Sequence, residues 1–231
     1  MPTLIPTADT GARAMPIGLT HVDPARLMPA SEKQVFLDGT GLNGPFVADL
    51  LSDMTAHERG GAALYRSVGA RTQNPVLKQK YQHYGNETVE HVEILERLIT
   101  NLGGDPGYVS PSARATEKSG LMLVESTFLL GGSVDLMTQE LVMLDAVLLA
   151  EAKDHANWVG MSQLVSAFPE GELRSAVQAA VDEVLPQEDD HVNWAQDMRT
   201  KLISAQVTSS AMQTMTAKAE EMVARIEGLF S

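Results

Sequence analysis

Four residues in four separate segments have the side chains and the order that metal binding requires. Glu58, His91, Glu151 and His191 follow one another in the order Glu, His, Glu, His, each within a segment of helical periodicity. Glu188 lies three residues before His191, so these two side chains share one helix face. Carboxylates and imidazoles from alternating helices are the ligands of two-metal sites inside four-helix bundles. The spacing therefore predicts a dinuclear metal site.

An aromatic residue follows each of the two separate glutamates at the same distance. Tyr65 lies seven residues after Glu58, and Trp158 lies seven residues after Glu151. Seven residues make about two helical turns, so each ring lies on the same helix face as its glutamate. Such rings either pack in the core or hydrogen-bond a ligand beside the metal, and the sequence leaves both roles open.

The first histidine segment departs from the arrangement of the second. Thr88, not a glutamate, lies three residues before His91. Glu87 lies four residues before His91 on the same helix face, whereas Glu90 is turned about 100° away. We therefore predict Glu87 as the replacement ligand. If Glu87 points elsewhere, the site lacks a carboxylate and would hold one metal ion or none.

The composition limits both the class of protein and the chemistry. The 231 residues are 44% apolar and 5% aromatic, and the net charge is −13 at pH 7. A chain this acidic lacks the basic face that nucleic-acid binding requires. It contains no cysteine, so a bound metal would use histidine and carboxylate ligands. No apolar run reaches the length of a membrane span, and a cytoplasmic location is the default expectation.

Periodicity and turn residues divide most of the chain into an arm and two pairs of helices. Proline and glycine interrupt residues 1–43, which we predict to be an extended N-terminal arm. Segments 44–72 and 75–102 are predicted as the first helix pair, and segments 133–167 and 172–205 as the second. Short turns within each pair and a long crossover between the pairs predict an all-α fold.

A crossover and a tail complete the predicted architecture. Residues 103–118 are expected to form a polar connection and residues 119–130 a short helix. Within residues 206–231 apolar side chains recur at heptad spacing, which predicts an amphipathic fifth helix packed on the bundle or on a neighbouring subunit. The residues at this spacing are Met212, Met215, Ala219, Met222, Ile226 and Leu229.

Over about residues 44–205 the chain resembles the ferritin-like superfamily of di-iron carboxylate proteins, and most closely the bacterial ferritin-like domain proteins of unassigned role. The resemblance implies a four-helix bundle of two antiparallel hairpins, two Fe ions with Mn as the alternative, and assembly as a homo-oligomer. It implies a catalytic role for Tyr65 beside the metals. The metal ligands that it implies are Glu58, Glu87, His91, Glu151, Glu188 and His191.

Two functions from different classes remain open. In the first, the chain is a ferroxidase or a peroxide-reducing oxidoreductase whose partners are metal ions and oxygen or peroxide. In the second, it is a non-catalytic bundle with a degenerate metal site that serves as a structural or stress-related assembly module. Thr88 favours the second function, whereas the complete set of Glu151, Glu188 and His191 favours the first.

Overall fold

The computed structural model describes residues 35–130 and 134–208. Five α-helices follow one another in these residues, which contain no β-strand, so the predicted all-α fold is confirmed. A short 3-10 turn, Val165–Ala167, follows the fourth helix. The helices are Gly44–Arg71 (α1), Pro75–Asn101 (α2), Pro111–Ser126 (α3), Leu136–Leu164 (α4) and Glu172–Thr208 (α5).

Local capping sequences set where the first three helices begin. The side chain of Asn43 accepts a hydrogen bond from the backbone at the start of α1, and Asn74 does so at the start of α2. Ser110 caps α3 in the same way. Each of these helices has a proline in its first turn, where the missing N–H would have had no helical partner. The caps thereby fix the first residue of each helix.

The crossover helix is longer than the sequence suggested. It begins at Pro111, whereas we expected a polar connection as far as residue 118. The buried Ser52 hydroxyl donates to the Tyr108 carbonyl oxygen and accepts from the Ser110 backbone N–H, both at 2.9 Å. Because these bonds anchor the connection on α1, Ser110 is held where it caps the helix. The spacing of apolar residues alone does not reveal such an anchor.

The long helices pack as two pairs that also contact each other. Helix α1 packs on α2, and α4 packs on α5; the pairs meet through contacts of α1 with α4 and of α2 with α5. Helix α3 lies against α1 and also contacts α4. A β-carbon on Gly60 would lie 3.7 Å from the Cα atom of Gly120, so α1 and α3 approach each other closely at these two glycines.

Two apolar clusters fill the interior, one toward each end of the long helices. The first includes Leu51 of α1, Leu95 of α2 and Trp158 of α4. The second includes Leu64 of α1 and Leu144 of α4. On each of the four long helices, a segment of buried polar residues lies between the two clusters along the chain. The polar side chains therefore form a layer that apolar packing closes on both sides.

Several predicted segments lie partly or wholly outside the described residues. This holds for residues 1–34 of the predicted arm and residues 209–231 of the predicted fifth helix. Within the arm, Phe36 and Leu37 are buried against the first apolar cluster. Helix α5 continues to Thr208, three residues beyond the predicted end of its segment. No described helix combines the length and the apolar character that crossing a bilayer requires.

Glu140 of α4 fastens the turn between α1 and α2. Its carboxylate accepts from the Thr72 hydroxyl at 2.7 Å, the Gln73 backbone N–H at 2.8 Å and the Asn74 backbone N–H at 3.3 Å. The side chain is buried. About three helical turns separate it along α4 from Glu151, so its role is structural.

We expect Glu140→Ala to lower the free energy of unfolding by about 2–4 kcal/mol, because three donors lose a charged acceptor. Urea denaturation followed by circular dichroism measures this loss. Glu93→Ala, which truncates an exposed glutamate on α2, is the control and should change stability by less than about 0.5 kcal/mol. An equally small effect of Glu140→Ala would contradict the assignment.

Candidate metal centre

Six ionisable side chains from four helices meet in the polar layer. Helices α1 and α2 contribute one each, and α4 and α5 contribute two each. All six are at most 4% exposed. They are Glu58, His91, Glu151, Asp154, Glu188 and His191.

Five of these side chains form two triads that share one carboxylate. The first consists of Glu58, His91 and Glu188, the second of Glu151, Glu188 and His191, and the ligand atoms within each triad lie within 4.8 Å of one another. His91 Nδ1 lies 3.5 Å from Glu58 Oε2 and 3.1 Å from Glu188 Oε1. His191 Nδ1 lies 3.2 Å from Glu151 Oε2 and 3.6 Å from Glu188 Oε1. Glu188 is therefore placed as a bridging ligand would be.

The donor atoms that face one another in the triads lack hydrogen-bond partners. A buried polar atom without a partner costs about 1–3 kcal/mol, and a charged one costs more. In the described part of the chain, the carboxylates of Glu58, Glu151 and Glu188 form ion pairs with the two histidines only. Converging oxygen and nitrogen donors of this kind fit divalent cations. The atoms without a hydrogen-bond partner are Glu58 Oε2, His91 Nδ1, Glu151 Oε2, both carboxylate oxygens of Glu188, and His191 Nδ1.

Burial and crowding shift the protonation of the layer. Burial raises the pKa of Glu188 to about 7, although its contact with His91 acts in the opposite direction. Burial alone lowers the pKa of His91, but the carboxylates of Glu188 and Glu58 outweigh it and raise the pKa to about 10. The pKa of His191 is raised against the effect of burial, chiefly by Glu151. Without bound cations the layer therefore retains protons.

The Nε2 atom of each histidine contacts a side chain of the helix that carries the other histidine. His91 Nε2 lies 2.8 Å from Gln187 Oε1, and His191 Nε2 lies 2.9 Å from Glu87 Oε2. Because both partners are acceptors, each Nε2 carries a proton, and each Nδ1 is the atom that would bind a metal. Glu87, the predicted ligand, thus lies outside both triads and contacts the Nε2 atom of His191, which faces away from the second triad.

Thr88 leaves the first histidine helix without a counterpart of Glu188. Its hydroxyl donates to the Tyr84 carbonyl oxygen at 2.8 Å, which satisfies it within α2. A β-carbon on Gly61 would lie 3.4 Å from the Thr88 methyl group, so α1 packs closely against this position. Thr88 is therefore held by its hydrogen bond within α2 and by packing against α1.

Asp154 is a buried acid that the sequence analysis missed. One of its oxygens, Oδ1, has no hydrogen-bond partner. Burial raises the pKa of Asp154 well above its usual value, and the neighbouring charge of Glu58 is the next largest cause. Asp154 lies three residues after Glu151 on the same face of α4. That spacing, within a strongly apolar segment, is the signal that would have found it.

Each aromatic residue lies beside the glutamate of the opposite helix pair. Trp158 of α4 is completely buried, and its Nε1–H donates to Glu58 Oε1 at 2.9 Å. The Tyr65 ring of α1 lies edge-on to His191, with 6.4 Å between ring centroids, and its hydroxyl has no hydrogen-bond partner. Burial, followed by the charge of Glu151, raises the pKa of Tyr65 well above its usual value. Tyr65 is therefore a neutral hydrogen-bond donor beside the second triad.

Two further histidines near the layer are used elsewhere. His57 is buried, and its Nε2 donates to the Ala150 carbonyl oxygen at 2.9 Å. His155 Nε2 lies 2.8 Å from Asp189 Oδ1 near the surface. Neither histidine belongs to a triad.

Comparison with known proteins adds no assignment to this geometry. No protein-family model, curated protein or solved structure matches the chain. The function is therefore argued from the side chains of the polar layer.

We expect the metal-free protein to become less stable as the pH rises from about 6.5 to about 10. The pKa of His91 is raised from 6.5 to about 10 on folding, so its stabilising effect is complete below pH 6.5 and is lost above pH 10. The melting temperature of chelator-treated protein across this range measures the effect.

The fall in melting temperature with rising pH should persist in His83→Gln, which alters an exposed histidine of α2. It should be smaller in His91→Asn. Metal-loaded protein should show a smaller decline, because a bound cation replaces the proton on His91. A melting temperature that stays constant or rises across this range in the metal-free protein would contradict the interpretation.

Proposed function

We propose that this protein is a ferritin-like four-helix bundle that holds two metal ions and uses them in iron oxidation and storage or in the reduction of oxygen or peroxide. The observation that carries the proposal is the pair of buried triads that share Glu188. Six donor atoms of these triads lack hydrogen-bond partners and face one another. Such a layer is costly to bury unless protons or cations neutralise it, and two divalent ions would do so.

Charge balance supports two divalent ions over one. Glu58, Glu151, Asp154 and Glu188 carry four negative charges when all are ionised, and two divalent ions carry four positive charges. Both histidines are then neutral, which is the form that binds a metal. One divalent ion would leave two buried negative charges, which protons would have to neutralise.

We propose iron as the metal, with manganese as the alternative. Imidazole and carboxylate ligands suit both ions, and the chain has no thiolate to select a softer one. Bound together, two ferrous ions would supply two electrons which, with two protons, reduce one hydrogen peroxide to two water molecules or one dioxygen to hydrogen peroxide.

The side chains around the triads would supply positioning and protons. In the metal-free protein the Asp154 carboxyl, whose pKa is raised by burial, would hold a proton beside Glu58, and this proton would be released when two divalent ions bind. The neutral Tyr65 hydroxyl is free to donate a hydrogen bond to an oxygen ligand near Glu151. The apolar clusters on both sides exclude bulk water, which strengthens these interactions.

One observation favours a second candidate, a bundle whose metal site is degenerate and whose role is assembly. Thr88 stands where the second histidine helix has Glu188, so one carboxylate of a symmetric site is missing. Its hydroxyl is satisfied by Tyr84 and is not directed to a metal. A count of bound ions separates the two candidates.

We expect purified protein loaded with ferrous iron without oxygen to contain about two ions per chain by elemental analysis. Glu188→Gln should lose both, because Glu188 belongs to both triads, whereas Glu58→Gln should retain about one in the second triad. Asp190→Asn removes an exposed acid two residues from Glu188 and should retain two. Native protein that binds no iron under these conditions would favour the assembly role.

We expect Tyr65→Phe to retain its metal content and to oxidise ferrous iron more slowly, by roughly 10- to 100-fold, the equivalent of one hydrogen bond to a charged group. Absorbance of the ferric product in stopped flow measures the rate. Tyr81→Phe is the matched control, since Tyr81 is also buried with an unpaired hydroxyl but touches no triad residue in its ring contacts. Equal rates in the two variants would contradict the role of Tyr65.

A further inference from the structure

The two helices that carry His91 and His191 have different residues at equivalent positions, four residues before each histidine. Glu87 lies four residues before His91, and Gln187 lies four residues before His191. Each crosses to the opposite histidine: Glu87 Oε2 lies 2.9 Å from His191 Nε2, and Gln187 Oε1 lies 2.8 Å from His91 Nε2. The two contacts match in length and direction, but one acceptor is a carboxylate and the other is a neutral amide.

This difference changes how strongly each imidazole binds a cation. An acceptor that carries a negative charge pulls the Nε2 proton more strongly than an amide oxygen does, and the Nδ1 atom becomes a better donor. His191 is therefore the stronger ligand of the two. Residues that hold the outer nitrogen of a metal-binding histidine commonly change metal affinity by 10- to 100-fold.

We propose that the two halves of the centre bind metal unequally, and that the half formed by Glu151, Glu188 and His191 takes up the first divalent ion because Glu87 stands behind His191. We call this half the His191 half-site, and the half formed by Glu58, His91 and Glu188 the His91 half-site. The inference rests on the proposed dinuclear centre. It makes Glu87 a positioning residue that sets the order of metal binding, although Glu87 is not itself a ligand.

Anaerobic titration with Co²⁺, followed by its visible absorption and by calorimetry, tests the proposal. His91→Ala leaves only the His191 half-site complete, and His191→Ala leaves only the His91 half-site complete. We expect His91→Ala to bind one Co²⁺ roughly 10-fold or more tightly than His191→Ala does.

Changing the residue behind each histidine isolates its effect. Added to His91→Ala, Glu87→Gln should weaken Co²⁺ binding by roughly 10- to 100-fold; added to His191→Ala, it should have little effect. Gln187→Glu should strengthen binding in the His191→Ala background. Glu90→Gln removes an exposed carboxylate from the same helix and controls for the loss of overall charge. In the otherwise native protein, which keeps both histidines, Glu87→Gln should bring the two binding steps closer together.

The outcomes separate this inference from the proposed function. Native protein that binds no Co²⁺ would overturn both. Two ions bound with equal affinity, or equal effects of Glu87→Gln and Glu90→Gln, would overturn the inference and leave the dinuclear centre standing. A weakening by Glu87→Gln that is confined to the His91→Ala background would support it.

Discussion

The structure depends on four carboxyl groups that lie in its interior, three of which pair with histidine and none with Lys or Arg among the described residues. Glu58, Glu151, Asp154 and Glu188 are at most 4% exposed, and apolar clusters close the layer on both sides. Unpaired buried charges cost several kcal/mol each, so protons or cations must neutralise them. In the metal-free protein, the raised pKa values of Asp154 and Glu188 favour their protonated forms. Bound cations would instead contact the buried atoms that have no hydrogen-bond partner. Metal binding in this layer would therefore be coupled to folding.

Contacts across the layer join the helices that surround it. Trp158 of α4 bonds Glu58 of α1, and the two histidine helices, α2 and α5, exchange contacts through Glu87 and Gln187. Each half of the centre therefore depends on residues from both helix pairs. Glu87 of α2 contacts His191, and Gln187 of α5 contacts His91. A substitution at either position therefore changes the surroundings of the histidine on the other helix.

The sequence predicted the helices better than it predicted the use of each acid. Spacing within helices brought Glu58, His91, Glu151, Glu188 and His191 to one layer, since buried faces follow from periodicity. It did not place Glu87, because a four-residue spacing shows which face a side chain occupies but not which nitrogen of which histidine it meets. Asp154 was missed although it shares the face of Glu151, and the start of α3 depended on contacts with Ser52 that are distant in sequence.

Anomalous diffraction from crystals of the iron-loaded protein, collected above and below the iron absorption edge, tests the central claim most directly. We expect two iron peaks in the polar layer, one beside His91 and one beside His191, roughly 3.5–4 Å apart with Glu188 between them. Iron peaks only at exposed carboxylates, with none between the two histidines, would contradict the claim that this layer is a dinuclear metal centre.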